Sequence, residues 1–597
     1  MLRSAFLALA LYLPASAASS QTPDVLVARH LEWRGGAAFQ GLRSIHSRGT
    51  IETSGLSGVL ERWNDGDGRA RTDIDLGVLR VSEGYSDGAG WTVTPSGQVE
   101  DASTHAVAAA SREGAVLFGR FDGARLSLLP SAEPGAPTSA GLRADFGDGA
   151  VYDLRLDPDT GALLSLAVTE DGETRTISYG DWRVVDGVRM PFREEVDYPG
   201  DAQDQSIRVE SLEVNESSPA AVFERPVRAA KLSFAPGAVS SGPVSFDLYA
   251  GRRLYLPAVV QGHPVEVLLD SGAETTVLDS AFAERIGLKV EGAVSAEGTG
   301  GRDTVGLASG VTIRLGAATL ADVTVAVMDL SGLASRLGRP LPVILGKEIL
   351  NEAVVDVDFG GRRLEIHDPQ RYAPPAEAFE TPALSVDGVR TVPISVEGRE
   401  PVQATFDLGN GSPLIVFPRY AERERLLDGR PASRAQGGGV GGVRLDRIAT
   451  LDRVGFGGVE FDDVPATFPA PGTAVFDTDR AGANVGLPLI SRFRLITDFS
   501  RNRIFLIPRP EAARPLDRDR AGLKTRLEDD RWIVDFVAPG SPAEAGGWKA
   551  GDAIILMNGR PVAGLAPNEW TGGPQGSQIS LTLADGTRRV LTLRDYF

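Results

Sequence analysis

Cysteine is absent from the 597 residues, which excludes disulfides, thiolate metal sites and a cysteine nucleophile. Histidine is scarce. The five present never form the H-E-x-x-H spacing that sets two imidazoles on one helical face, so no metal site is expected. Long apolar runs are missing as well: no stretch reaches the ~20 residues that span a bilayer, and no transmembrane segment is expected. Positive charge is in deficit, because 61 Lys and Arg against 80 Asp and Glu give 61 − 80 = −19. Nucleic acids and anionic membranes favour basic patches, so neither is expected as a partner.

What is present begins with a leader. Arg3 supplies a positive start, Ala5 to Leu13 an apolar core and Ala15-Ser-Ala17 a small-residue cleavage site. Residues 1–17 therefore read as a cleaved secretory signal, and the mature chain as exported, periplasmic or extracellular. A chain of this length exceeds what one core supports, so several domains are expected. Residues 25–230 open with a helical stretch from Pro23 to Glu32. Period-two segments separated by turn pairs follow, such as Tyr152–Leu156, Ala162–Val168 and Ser206–Leu212. They predict a helix with a curved antiparallel sheet. Pro226 to Gly242 reads as a linker.

The centre of the chain is organised around Val265-Glu-Val-Leu-Leu-Asp-Ser-Gly-Ala-Glu-Thr-Thr-Val-Leu278. An apolar strand runs into a sharp turn at Asp270-Ser271-Gly272, and a second β-rich run follows. A carboxylate at the end of a buried strand must be hydrogen-bonded, paired or functional. Gln403-Ala-Thr-Phe-Asp407-Leu-Gly-Asn410 repeats the pattern, and fixed landmarks follow each copy. Leu315-Gly316 is matched by Phe456-Gly457, Val343 to Gly346 by Ala483 to Gly486, and Val357-Asp358-Phe359 by Thr497-Asp498-Phe499. The offsets are 407 − 270 = 137, 457 − 316 = 141, 486 − 346 = 140 and 498 − 358 = 140. Four landmarks whose offsets agree within a few residues mark an internal repeat. Two such lobes can pair about a pseudo-two-fold axis, with Asp270 and Asp407 facing each other across it.

Residues 245–372 and 380–508 thus form two all-β lobes. Their pattern resembles the retropepsin-like aspartic proteases, which carry Asp-Thr/Ser-Gly after a strand, a glycine-containing flap and a later hydrophobic-hydrophobic-Gly segment. Asp270-Ser271-Gly272 and Ile344-Leu345-Gly346 match the first and last of these. The resemblance implies a catalytic pair, Asp270 and Asp407, whose turns are held by Ser271, Gly272 and Gly409. It implies flaps at Glu297–Arg302, with Gly298, Gly300 and Gly301, and at Gln436–Gly442, with Gly438 and Gly439. The second lobe departs at Leu408, where the family usually has the Thr or Ser that braces the two loops, so the brace is one-sided. By its letters, Gly437-x-Gly439-x-x-Gly442 matches a dinucleotide fingerprint. No buried strand leads in and no helix follows, which rejects that reading.

Two further resemblances frame the lobes. Trp182 to Pro191 is similar to the closing strands of outer-membrane lipoprotein carriers, which implies a half-barrel at 25–230. Its concave face suits a lipid or acyl ligand, or else the domain is an accessory scaffold. Residues 515–597, with Ala538-Pro-Gly-Ser-Pro-Ala-Glu-Ala-Gly546 and Gly551-Asp-Ala-Ile-Ile-Leu-Met-Asn-Gly559, resemble a bacterial-type PDZ domain. That resemblance implies capture of peptide C-termini by strand addition, with Gly522 and Leu523 in the carboxylate-binding loop. Together these readings give a mainly β, multidomain peptide hydrolase that acts on polypeptides. Three alternatives stand beside it: a catalytically inactive peptide- or lipid-binding scaffold, a dyad formed between two chains, and an envelope carrier with purely structural lobes.

Overall fold

The computed structural model describes residues 22–95, 97–129, 140–170, 172–200, 203–227, 230–386 and 388–597. The signal at 1–17 lies outside the described residues. The chain is mainly β and multidomain. Among the described residues no helix is long and apolar enough to cross a membrane.

The N-terminal part is one 13-stranded antiparallel sheet. Its central pair is Ser44–Thr53 with Gln205–Val214, and the strands continue outward as two meanders. The opening helix, Pro23–Arg34, starts on a Thr22 cap and a proline and ends at Gly35. Its Leu26 is fully buried with Leu142, Leu154 and Leu166 from the sheet. The longest helix among the described residues, Thr104–Leu117, has no counterpart in the sequence reading. Its alanine-rich sequence has no strong apolar stripe, and the Ser103 cap on the Ala106 N–H was its main sequence signal.

Part of the segment read as a linker is built into the fold. Leu232–Phe234 pairs with the strand Ala318–Met328 as an edge strand of the first lobe. Ser240 forms an isolated antiparallel bridge with His367. Apolar residues flanking the polar ones supply the pairing that composition alone concealed.

The two lobes share a six-stranded sheet at their base, where Val354–Asp358 of the first runs antiparallel to Phe493–Asp498 of the second. In that register Asp356 faces Ile496. Because 496 − 356 = 140, a residue faces its own equivalent at the repeat offset, and the pseudo-two-fold axis passes through this pair. One continuous apolar core crosses the sheet, joining Leu269, Val355 and Leu364 to Phe406, Val485 and Leu495. The C-terminal sheet has six strands, with Leu523–Glu528 at its edge, around a core of Trp532, Ile554 and Leu581.

Candidate active site

The Asp270 strand, His263–Leu269, lies beside Val343–Leu345 in parallel, with Leu268 opposite Ile344. Val277–Asp279 closes the other side of Val343–Leu345 in the antiparallel sense. The second lobe repeats the arrangement: Val402–Asp407 runs parallel to Ala483–Gly486, which pairs antiparallel with Leu414–Val416. Each aspartate therefore leaves a strand fixed by its neighbours and enters a turn pointing at the axis.

The turns are equivalent atom by atom. Asp270 Oδ1 accepts the Gly272 N–H at 2.8 Å and the Ala273 N–H at 3.2 Å. Asp407 Oδ1 accepts the Gly409 N–H at 2.8 Å and the Asn410 N–H at 3.0 Å. The two loops cross closely. A Cβ on Gly409 would lie 2.2 Å from the Asp270 Cγ, and one on Gly272 would lie 2.8 Å from the Asp407 Cγ. Only glycine fits either position, and the loops bring the carboxyl groups close enough for the charge of Asp407 to act on Asp270. Burial, reinforced by the charge of Asp407, pushes the Asp270 carboxyl up to about 7, while the Gly272 N–H opposes the shift.

The expected brace is present on one side. The Ser271 hydroxyl donates to the Phe406 carbonyl at 2.9 Å and accepts the Leu408 N–H at 2.9 Å, so one side chain ties both loops. Leu408 itself is fully buried in the shared core. It replaces a hydroxyl bridge with apolar packing.

The flaps are two-residue hairpins of identical register. Gly298 faces Gly301 across the first tip, and Gly439 faces Gly442 across the second. The tips meet each other. The Gly300 N–H donates to the Val440 carbonyl at 2.8 Å, and Arg444 donates to the Thr299 carbonyl. A Cβ on Gly300 would lie 2.2 Å from the Gly442 carbonyl oxygen, and one on Gly439 would lie 2.2 Å from the Thr299 hydroxyl. The predicted flap glycines Gly298, Gly300, Gly301, Gly438 and Gly439 thus gather at one junction.

Three residues at the dyad escaped sequence reasoning. The Arg253 guanidinium acts electrostatically on both carboxyls, and its Nη1 fills the space a Gly411 side chain would take. Asn484 donates its amide N–H to Asp407 Oδ2 at 2.8 Å, and Asn410 donates in turn to Asn484 Oδ1 at 2.8 Å. A signal did exist: Asn484 stands in the hydrophobic-hydrophobic-Gly segment where the first lobe has Ile344.

At Gly522 and Leu523, the loop read as peptide-binding, the backbone donors are already engaged within the chain. The Gly522 N–H already donates to the Asp519 carboxylate at 3.1 Å, with the Ala521 N–H beside it at 2.9 Å. The Leu523 side chain is buried in the domain core. The open edge of Leu523–Glu528 is occupied too. Asn568 bonds both the N–H and the carbonyl of Thr525, and Ser335 of the first-lobe helix Ser331–Leu337 donates to the Leu527 carbonyl at 2.5 Å.

Comparison with known proteins agrees with the geometry. Residues 256–349 match the aspartyl protease family model, and residues 513–581 match the PDZ domain model. The chain carries an aspartyl-protease-like domain and a PDZ domain. The protease match ends before the second lobe, so Asp407 stands on the repeat and the shared geometry. The chain is similar to the Na(+)/H(+) exchange regulatory cofactor NHE-RF4 of Mus musculus, with 40% identity over 78 residues, 13% of this chain and 15% of that protein. It is also similar to DNA damage-inducible protein 1 of Yarrowia lipolytica, with 29% identity over 117 residues, 19% of this chain and 27% of that protein. It thus spans a minor part of either relative. Among solved structures, a LolA superfamily protein from Nitrosomonas europaea aligns at 12% identity over 34% of this chain and 98% of that one, with a TM-score of 0.27.

Proposed function

We propose that this chain is an exported aspartic-type endopeptidase that hydrolyses polypeptides with water activated between Asp270 and Asp407. The observation that carries the reading is the reciprocal seating of the turns, Gly272 against Asp407 and Gly409 against Asp270. Two carboxyls so close cannot both ionise cheaply, and they retain one proton between them over a wide pH range. The ionised member takes a proton from the attacking water as its oxygen bonds to the scissile carbonyl carbon. The protonated member gives its proton to the carbonyl oxygen, which yields a tetrahedral diol. Collapse of the diol breaks the C–N bond: the leaving nitrogen takes the proton held by the carboxyl that accepted it from water, and one diol hydroxyl returns its proton to the other carboxyl as the product carbonyl forms, which restores the singly protonated dyad. The flap tips close over the peptide and exclude bulk water. This cycle calls on no metal or cofactor.

Export follows from the Arg3, Ala5 to Leu13 and Ala15-Ser-Ala17 order. The PDZ domain contributes peptide recognition once a peptide C-terminus displaces Asp519, Asn568 and Ser335 from its loop and edge strand. Incubation of the purified mature protein with an unfolded polypeptide between pH 3 and pH 8 tests the activity. New termini at internal bonds, suppressed by a peptide bearing a hydroxyl in place of the scissile carbonyl, are expected. No cleavage across that range, with the same peptide still bound, would leave the inactive peptide-binding scaffold as the function.

A further inference from the structure

The dyad is symmetric in its turns and asymmetric behind them. Asn484 lies on its strand between Thr405 and Ile415, and Ile344 lies in the first lobe between Leu268 and Val277. The two positions are equivalent, since 484 − 344 = 140, yet one carries an amide and the other an aliphatic chain. Asn410 stands likewise where the first lobe has Ala273, at 410 − 273 = 137.

The orientation of both amides is chemically determined. The Ser412 backbone N–H can only donate, and it donates to Asn410 Oδ1 at 2.8 Å. Asn410 must then present its NH2 group to Asn484 Oδ1, at 2.8 Å. Asn484 in turn presents its own NH2 group to Asp407 Oδ2, at 2.8 Å. The relay starts at a fixed donor and ends on one carboxyl of the pair. Asp407 accordingly accepts three N–H groups, from Gly409, Asn410 and Asn484. Asp270 accepts two, both on Oδ1, from Gly272 and Ala273.

Resting on the aspartic-peptidase reading, we infer that Asn484, held by Asn410, is a positioning residue that keeps the dyad's negative charge on Asp407 and its shared proton on Asp270. Donors aimed at a carboxylate stabilise its charged form and have little to offer a protonated one. Among the described residues Arg253 also acts on both members, and its pull toward a charged Asp270 ranks below burial and the Asp407 charge. Burial and the Asp407 charge outweigh it, consistent with an Asp270 carboxyl pushed up to about 7. Asp407 is then the base that takes the proton from water, and Asp270 is the acid that protonates the carbonyl oxygen.

The test replaces Asn484 by leucine, which imitates Ile344, and Asn410 by alanine, which imitates Ala273. Each variant and the parent are followed in two ways: by the pH profile of kcat/KM, and by the carboxyl carbon shifts of the dyad in 13C-aspartate-labelled full-length protein. Loss of the donor makes the first deprotonation of the pair harder, so the acid limb and the first titration step move upward. About one pH unit or more is expected for Asn484→Leu, and a smaller rise in the same sense for Asn410→Ala. The alkaline limb stays near its parent position. Unmoved first steps in both folded variants would overturn the inference while leaving an active parent as a peptidase. A parent without peptidase activity whose first titration step still rises in Asn484→Leu would overturn the catalytic reading and keep the proton assignment.

Discussion

Ser271 links the lobes through a single oxygen that serves two buried backbone groups at 2.9 Å each. Ser271→Ala leaves the Phe406 carbonyl and the Leu408 N–H unpaired and should cost about 1–3 kcal/mol, whereas Ser271→Thr retains the hydroxyl. Thermal unfolding of the two variants checks this: a midpoint for the alanine variant equal to that of the threonine variant would reject the brace. Asp270 makes a separate statement about pH. Its carboxyl is raised to about 7 in the folded chain, so above the ordinary carboxylate range the native state keeps a proton that the unfolded chain has released. The contribution of this group to native stability then falls as pH rises toward 7. Asp270→Asn removes that titration, and the drop in unfolding midpoint between pH 5 and pH 7 should flatten in the variant. An unchanged drop would place the slope elsewhere.

The hairpins and edge strands carry the next set of consequences. A Cβ on Gly441 would lie 2.1 Å from the Gly301 carbonyl oxygen, and the φ of Gly441 is +85°. Gly441→Ala should therefore part the two tips, speed hydrogen exchange at the Gly300 N–H and raise KM more than it lowers kcat. Exchange as slow as in the parent would show that the tips do not depend on this contact. At the PDZ edge, joint replacement of Asn568 and Ser335 by alanine frees the Thr525 and Leu527 backbone groups for an added strand. Affinity for C-terminal peptides should rise several-fold by calorimetry, and unchanged affinity would argue that the domain only packs against the protease. The strand–turn–strand units and the repeat were legible because apolar runs, Asp-x-Gly turns and a common offset are local signals. Occupancy of the Gly522 loop was not. It depends on Asp519, whose reach to the Ala521 and Gly522 N–H groups is set by turn geometry rather than by a motif. Asn484 was hidden differently: it lies in the Ala483 to Gly486 landmark of the repeat, but its meaning appears only when the strands bring it to Asp407.

At the scale of the whole molecule, the N-terminal sheet is docked on the protease lobes. The Ser54 carbonyl accepts the Ala293 N–H at 2.8 Å, and Leu307 packs with Ile51, Leu56 and Leu60. Lys347, one residue beyond Gly346 and 2% exposed, pairs with Glu100 of that sheet at 3.3 Å and also donates to the Gly388 carbonyl. Glu100→Ala leaves a buried ammonium short of its counter-ion, a change of about 3–5 kcal/mol where no water enters. The protease transition should shift down by several degrees in a thermal scan, and no shift would show that the pair is solvated. Such a joint has no sequence signature, because its partners lie 347 − 100 = 247 residues apart. The pairing of the two lobes, by contrast, was signalled by the repeat, and it determines whether one chain builds the whole dyad. The most direct test measures kcat/KM on one unfolded polypeptide for the parent, Asp270→Asn and Asp407→Asn, each confirmed as folded. Loss of at least about a thousandfold in both variants is the predicted result. Retained activity in Asp407→Asn, with loss confined to Asp270→Asn, would contradict a dyad built within one chain.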